Sequence, residues 1–133
     1  MKLLTYLACP YSHSIPAVEE WRFEQATRAA AWLINTCEYN VFSPLTHSHP
    51  LRKIGGVAGD WKYWEKIDRE YLSLSRALVV LLVEGWRESV GVQAEIRIAR
   101  EQGLDIEWLL PAKDGAYLWT GLPDSVKPLA SLS

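Results

Sequence analysis

The sequence predicts a three-layer α/β sandwich, a parallel sheet of four to five strands with helices on both faces. Short apolar runs alternate with longer stretches of helical period along the chain. Ala77 to Val83 is an unbroken apolar run rich in strand-forming residues, the pattern of a strand covered on both sides. Most segments stop at Gly or Pro, which punctuate the alternation.

Residues 2 to 8 form a short apolar strand that ends at Pro10 and the polar Tyr-Ser-His-Ser turn. From Pro16, a favoured first helical residue, the chain runs without Gly or Pro to Cys37. Ala26, Ala30, Leu33 and Cys37 lie at helical spacing, so this is one long amphipathic helix. Tyr39 to Ser43 reads as a second short strand. The stretch SPLTHSHPLRKIGGVAG, with two prolines and three glycines, reads as a long loop and the least structured part of the chain. A helix is expected from Asp60 to about Arg76 and the covered strand over Ala77 to Val83. A further helix over Gly91 to Gln102 is stopped by Gly103, and Ile106 to Leu110 reads as a strand stopped by Pro111. The result is βαβαβαβ with right-handed crossovers, an arrangement of the flavodoxin- or Rossmann-like kind. The tail from Lys113, with Trp119, Pro123 and Pro128, shows no period and reads as a covering or subunit-contacting segment.

A chain of 133 residues, 49% apolar, fits one domain over 1–133 with a real core. Its formal net charge of −2, with acids and bases mixed, argues against a nucleic acid polymer or an anionic membrane as partner. The opening MKLLTYLACP is cut short by Pro10 before it reaches signal or spanning length, so it is read as a strand. Two cysteines, Cys9 and Cys37, make no disulfide framework and suit a reducing compartment. The cytoplasm is the expected location.

In sheets of this class ligands bind at the carboxyl ends of the strands. Three loops meet there, Cys9 to Ser14, Ser43 to Gly59 and Glu84 to Val90, and they hold all three histidines. At about 100° per residue, the helix from Gly91 places Gln93, Arg97, Arg100 and Glu101 outside. Glu95 falls among its apolar positions, beside Val92, Ile98 and Ala99. Treated the same way, the helix from Asp60 turns Asp68 inward with Trp64, Tyr71 and Ser75. A buried carboxylate is costly and its pKa rises unless it is satisfied, so a domain that keeps one inward satisfies it or uses it. The structural alternative for Glu95 is a pair with Arg22, Arg87 or a backbone amide. The nearby helix N-terminus favours the ionised form, and an ionised, poorly hydrated carboxylate is a competent nucleophile toward a sugar carbon.

Thr5-Tyr6-Leu7-Ala8, Asp68 before the strand Leu78 to Leu82, and Ser89-Val90-Gly91-Val92-Gln93-Ala94-Glu95 together resemble the nucleoside 2-deoxyribosyltransferase superfamily. The resemblance covers roughly residues 3 to 103, and the wording LACPYSHS, VFSPLTHSHP and GWRESVG is similar to an uncharacterised bacterial and phage branch. It implies that Glu95 attacks the anomeric carbon, that Asp68 contacts sugar or base, and that Tyr6 orients the nucleophile. Where the transferases carry an aspartate, this chain has Ser89. The related nucleoside 5′-monophosphate N-glycosidases also have serine there, as a phosphate ligand, which favours a nucleotide over a nucleoside. Ser12 and Ser14, before the first helix, are candidate donors to the same anion, with Gly91 beside Ser89. The structural alternative is that Ser12, Ser14 and Ser89 cap helices. The superfamily also implies a homodimer or homotetramer, no cofactor and a small-molecule nucleoside or nucleotide as partner. A different reading is a non-catalytic nucleotide-binding or sensing module using the same pocket.

The remaining candidates are weaker. A phosphatase-like loop at Cys9 would need arginine at position 15, which is Ile15. His13, His47 and His49 lack a carboxylate or cysteine at ligand spacing, so no metal is expected. His13 or His47 is instead expected to line the pocket, where it could protonate a leaving base. Trp61, Trp64 and Trp86 fall near the ligand edge, and of these Trp86 is singled out as a stacking surface, against the commoner use of tryptophan in core packing. No Gly-rich dinucleotide or nucleoside-triphosphate loop follows any strand.

Overall fold

A computed structural model describes residues 4–59 and 61–121. The strands are β1 (Leu4–Ala8), β2 (Asn40–Phe42), β3 (Ala77–Leu81), β4 (Asp105–Pro111) and β5 (Tyr117–Thr120). The helices are α1 (Pro16–Cys37), α2 (Pro44–Gly55), α3 (Trp61–Leu74) and α4 (Val90–Glu101). They form a three-layer α/β sandwich of the Rossmann or flavodoxin kind, with sheet order β2-β1-β3-β4-β5. β1 to β4 run parallel, and β5 pairs antiparallel with β4.

The two-residue side-chain period of the strands sorts the core into two layers. Tyr6, Ala8, Leu78, Val80 and Trp108 face α3 and α4, where Leu72, Val92, Ile96 and Ile98 meet them. Leu7, Val79, Leu81 and Leu109 face the other way, onto Ala26, Ala29, Ala30 and Leu33 of α1. Alanines at the α1 contact let that helix lie close to the sheet, which suits a strand buried at all five of its residues such as β3.

Two regions differ from expectation. The stretch read as a long loop contains α2. Ser43 caps it, its Oγ accepting from the Thr46 N–H, and Pro44 occupies the first turn, where a missing N–H is harmless. Gly56, at φ 70°, closes the helix by donating its N–H to the Arg52 carbonyl, so the glycines mark an end and not a coil. Pro50 lies inside the helix and removes one hydrogen bond, a loss offset by burial of Leu45, Ser48 and His49 and by the Thr46–Thr27 hydroxyl contact of 2.8 Å to α1.

The tail is the second difference. A tight turn over Lys113–Gly115, with Asp114 at φ 60° and Gly115 at φ 74°, reverses the chain into β5. Trp119 therefore stands on an edge strand, against Trp32 and Tyr39. Residues 2, 3, 60, 123 and 128 of the expected segments lie outside the described residues.

Candidate functional site

A cavity of about 820 Å³ opens at the carboxyl edge of the sheet. The β1–α1 loop contributes Tyr11, Ser12 and His13; α1 contributes Trp21 and Arg22; α2 contributes Leu45 and Ser48. From the opposite side come Trp61, Trp64 and Asp68 of α3, Glu84 to Ser89 of the β3–α4 loop in part, and Gly91 and Glu95 of α4.

Glu95 is 5% exposed and Asp68 7% exposed, so both inward-facing carboxyls read from helical period are buried where they line the cavity. Tyr6, fully buried in β1, stands behind them and donates its hydroxyl to Glu95 Oε2. Asp68 stands near the same phenol, close enough for its charge to bear on it. Burial raises the Asp68 carboxyl to about 7, the Tyr6 hydroxyl opposing it. Burial and then the Asp68 charge push Glu95 well above the usual carboxylate range. Desolvation, followed by the Glu95 charge, raises Tyr6 as well. The helix N-terminus favours the charged form less than expected, because desolvation opposes it and the dipole fades within the first turn.

Glu95 does not pair with Arg22. The Arg22 guanidinium staples the two loops that frame the cavity, Nη1 donating to the carbonyls of Tyr11 (3.3 Å) and Ser12 (2.9 Å) and Nη2 to that of Glu84 (3.4 Å). Its Nε is fully buried and, among the described residues, unpartnered. Gly85, at φ 95°, makes room for this arginine: a Cβ there would stand 2.3 Å from Nη2. Cys9 is buried and its thiol is pushed far up by desolvation, with Arg22 opposing, which leaves it a packing residue and not a nucleophile.

Ser89 lines the cavity and also caps α4, its Oγ accepting from the Val92 N–H at 3.1 Å. Gly91 lies beside Trp61, and a Cβ at 91 would touch its ring at 3.4 Å. Ser12 and His13 line the cavity, and His13 Nδ1 accepts from the Ile15 N–H. Ser14 is not brought to the cavity; it is exposed, and Ile15, not a serine, occupies the α1 cap position. His47 is also misplaced by the loop reading: on α2 it points outward against Phe42, while Ser48 and His49 turn in. Trp86 does not line the cavity either. It packs in the core against Trp108 at 5.9 Å, with the Arg87 guanidinium over its ring. Trp61 and Trp64 are the tryptophans of that group that reach the cavity, joined by Trp21.

Sequence reasoning placed the loops carrying Tyr11, Glu84 and Glu88 at the ligand edge without singling those residues out, and missed Trp21 and Arg22 as lining residues. For Trp21 and Arg22 a signal existed, their position in the second turn of a helix that starts at the ligand edge. Among the described residues no group of three or more His, Cys, Asp or Glu side chains is placed to hold a metal ion.

Fold and cavity together define an α/β domain with a coupled pair of buried carboxyls at the carboxyl edge of a parallel sheet. The chain belongs to the family described as Domain of unknown function (DUF1937), which matches residues 3–108. No curated protein matches the chain. Neither finding names the nucleoside 2-deoxyribosyltransferase superfamily, so that resemblance rests on the residues quoted for it.

Proposed function

We propose that this protein cleaves the N-glycosidic bond of a nucleoside or nucleoside 5′-monophosphate, as an N-glycosidase or (deoxy)ribosyltransferase, through a covalent glycosyl-Glu95 intermediate. The observation that carries the reading is the Glu95–Tyr6–Asp68 set, buried at the wall of a cavity large enough for such a ligand. In the reactive form Glu95 is ionised and Asp68 holds a proton. The Glu95 carboxylate forms a bond to the anomeric carbon, the carbon–nitrogen bond breaks, and its electron pair leaves with the base, which takes the proton from Asp68. Water or a second base then attacks the same carbon, gives a proton to Asp68 and releases Glu95. Tyr6 holds the nucleophile in place through its hydroxyl.

The high pKa of Glu95 favours a second reading, a nucleotide-binding or sensing module in which a neutral Glu95 acts only as a hydrogen-bonding group. Base release separates the two. Incubation with ribo- and deoxyribonucleosides and their 5′-monophosphates is expected to liberate free base with the parent protein and not with Glu95→Gln. Thermal stabilisation by ligand that survives Glu95→Gln, without product, would instead establish the binding module. The resemblance also supports a homodimer or homotetramer, and the two free cysteines suit the cytoplasm. No described helix is long and apolar enough to cross a membrane.

A further inference from the structure

The charges around the cavity bear on which substrate it takes. Four carboxyl residues line it, Asp68, Glu84, Glu88 and Glu95, against one arginine, Arg22. That arginine is largely engaged by the framing loops: three of its five N–H groups are bonded to the carbonyls of Tyr11, Ser12 and Glu84, and its Nε is fully buried. Ser89, at the start of α4, retains a hydroxyl proton and the positive end of a helix, worth roughly half a charge. Glu84 and Glu88 are exposed on the same loop, and each brings a full negative charge to that end of the cavity. A phosphate monoester carries about −1.5 to −2 at neutral pH, so the carboxylates outweigh the helix end.

An aromatic surface adjoins that end of the cavity. Trp61 lies against Gly91, and Trp64 is anchored by its Nε1 donating to the Ala58 carbonyl at 2.7 Å. Trp21, partly exposed, completes the group on the α1 side. Indole faces and carboxylates together attract planar rings, and cationic rings most strongly.

We propose that the cavity takes the free nucleoside and rejects its 5′-monophosphate, with binding strengthened when the base carries a positive charge. This rests on the glycosidase reading and reverses the preference that Ser89 suggests. A cationic base also leaves as a neutral molecule once its bond electrons go with it, so it needs no proton from Asp68.

The test compares 2′-deoxyadenosine with its 5′-monophosphate, and guanosine with N7-methylguanosine. Base release by the parent protein and calorimetric binding to Glu95→Gln are both measured. The nucleoside is expected to exceed its monophosphate by about tenfold or more in kcat/KM and in affinity at low salt, the ratio shrinking near about 0.5 M salt. Glu84→Gln/Glu88→Gln, at exposed positions where folding is not at stake, is expected to narrow that ratio by about threefold or more. N7-methylguanosine is expected to bind about fivefold tighter than guanosine. A monophosphate bound or cleaved as well as the nucleoside overturns the proposal, as does a ratio indifferent to the double substitution. If no base is released from any substrate, the glycosidase reading falls, and the binding ratio on Glu95→Gln still decides this one. Binding of neither form overturns both.

Discussion

On the α1–α2 side of the cavity, His49 is 3% exposed, yet both ring nitrogens are partnered: Nε2 with Glu20 Oε2 at 2.6 Å and Nδ1 with the Tyr11 hydroxyl at 2.6 Å. Arg52 donates to that same hydroxyl at 2.7 Å and lies 3.7 Å from Glu19, while Phe23 stacks on the imidazole at 4.3 Å. On the α3–α4 side, two carboxyls and a phenol meet and, among the described residues, no basic group offsets them; burial, with the Asp68 charge acting on Glu95, raises the carboxyls. The first cluster has a partner of suitable charge or hydrogen-bonding capacity for each group and locks α2 onto α1. In the second, burial disfavours the charged form of both carboxyls. A fold of this size can satisfy buried polar groups where it needs them for architecture, so the unrelieved set marks the place where stability has been given up.

The comparison is broken most directly at Glu95. Glu95→Gln is expected to lower base release by on the order of 10³-fold or more while raising the melting temperature at pH 8, since a neutral amide removes a buried acid. Loss of stability on this substitution would show that the acid set is structural after all. At His49 the expectation is opposite in sign. His49→Ala removes a stacked ring and strands the Tyr11 hydroxyl, so it should destabilise by about 3 kcal/mol in chemical denaturation. An unchanged midpoint would remove the contrast.

Asp68 sharpens it through pH. Its carboxyl is raised from 3.8 to about 7, so between those values the folded protein retains a proton that the unfolded chain has released. Stability therefore falls as pH rises through that window and levels off above it. Asp68→Asn should remove its share of that slope and stabilise by about 3 kcal/mol at pH 8, with a smaller gain at pH 5. A smaller effect is expected at Ser89. Ser89→Ala should cost about 1 kcal/mol, the worth of a helix cap, and leave the ratio of nucleoside to monophosphate turnover near its parent value. A selective loss of the monophosphate would return Ser89 to the role of phosphate ligand.

The parallel sheet and the helices α1, α3 and α4 were legible because covered strands read as apolar runs and one-sided helices as a period. The same period turned Glu95 and Asp68 inward, a geometry decided within single helices. What failed depended on context that local pattern does not hold. Pro44 and Pro50 read as breakers, although a first-turn proline is harmless and burial offsets the other. With the helix missed, His47 and His49 could not be told apart, since only a helical phase turns one out and its neighbour but one inward. Trp86 entered the core through contact with Trp108, and Arg22 found its partners in carbonyls as far along the chain as Glu84, neither of which spacing announces.

The sheet ends on one side in β2, three residues long, and on the other in β5, four residues long and turned antiparallel by the Lys113–Gly115 reversal. Each described edge offers only a brief row of unpaired backbone groups, below the usual strand length of about five to six residues. Rows this short give little purchase for a further strand, so the described sheet margins disfavour continuous sheet growth.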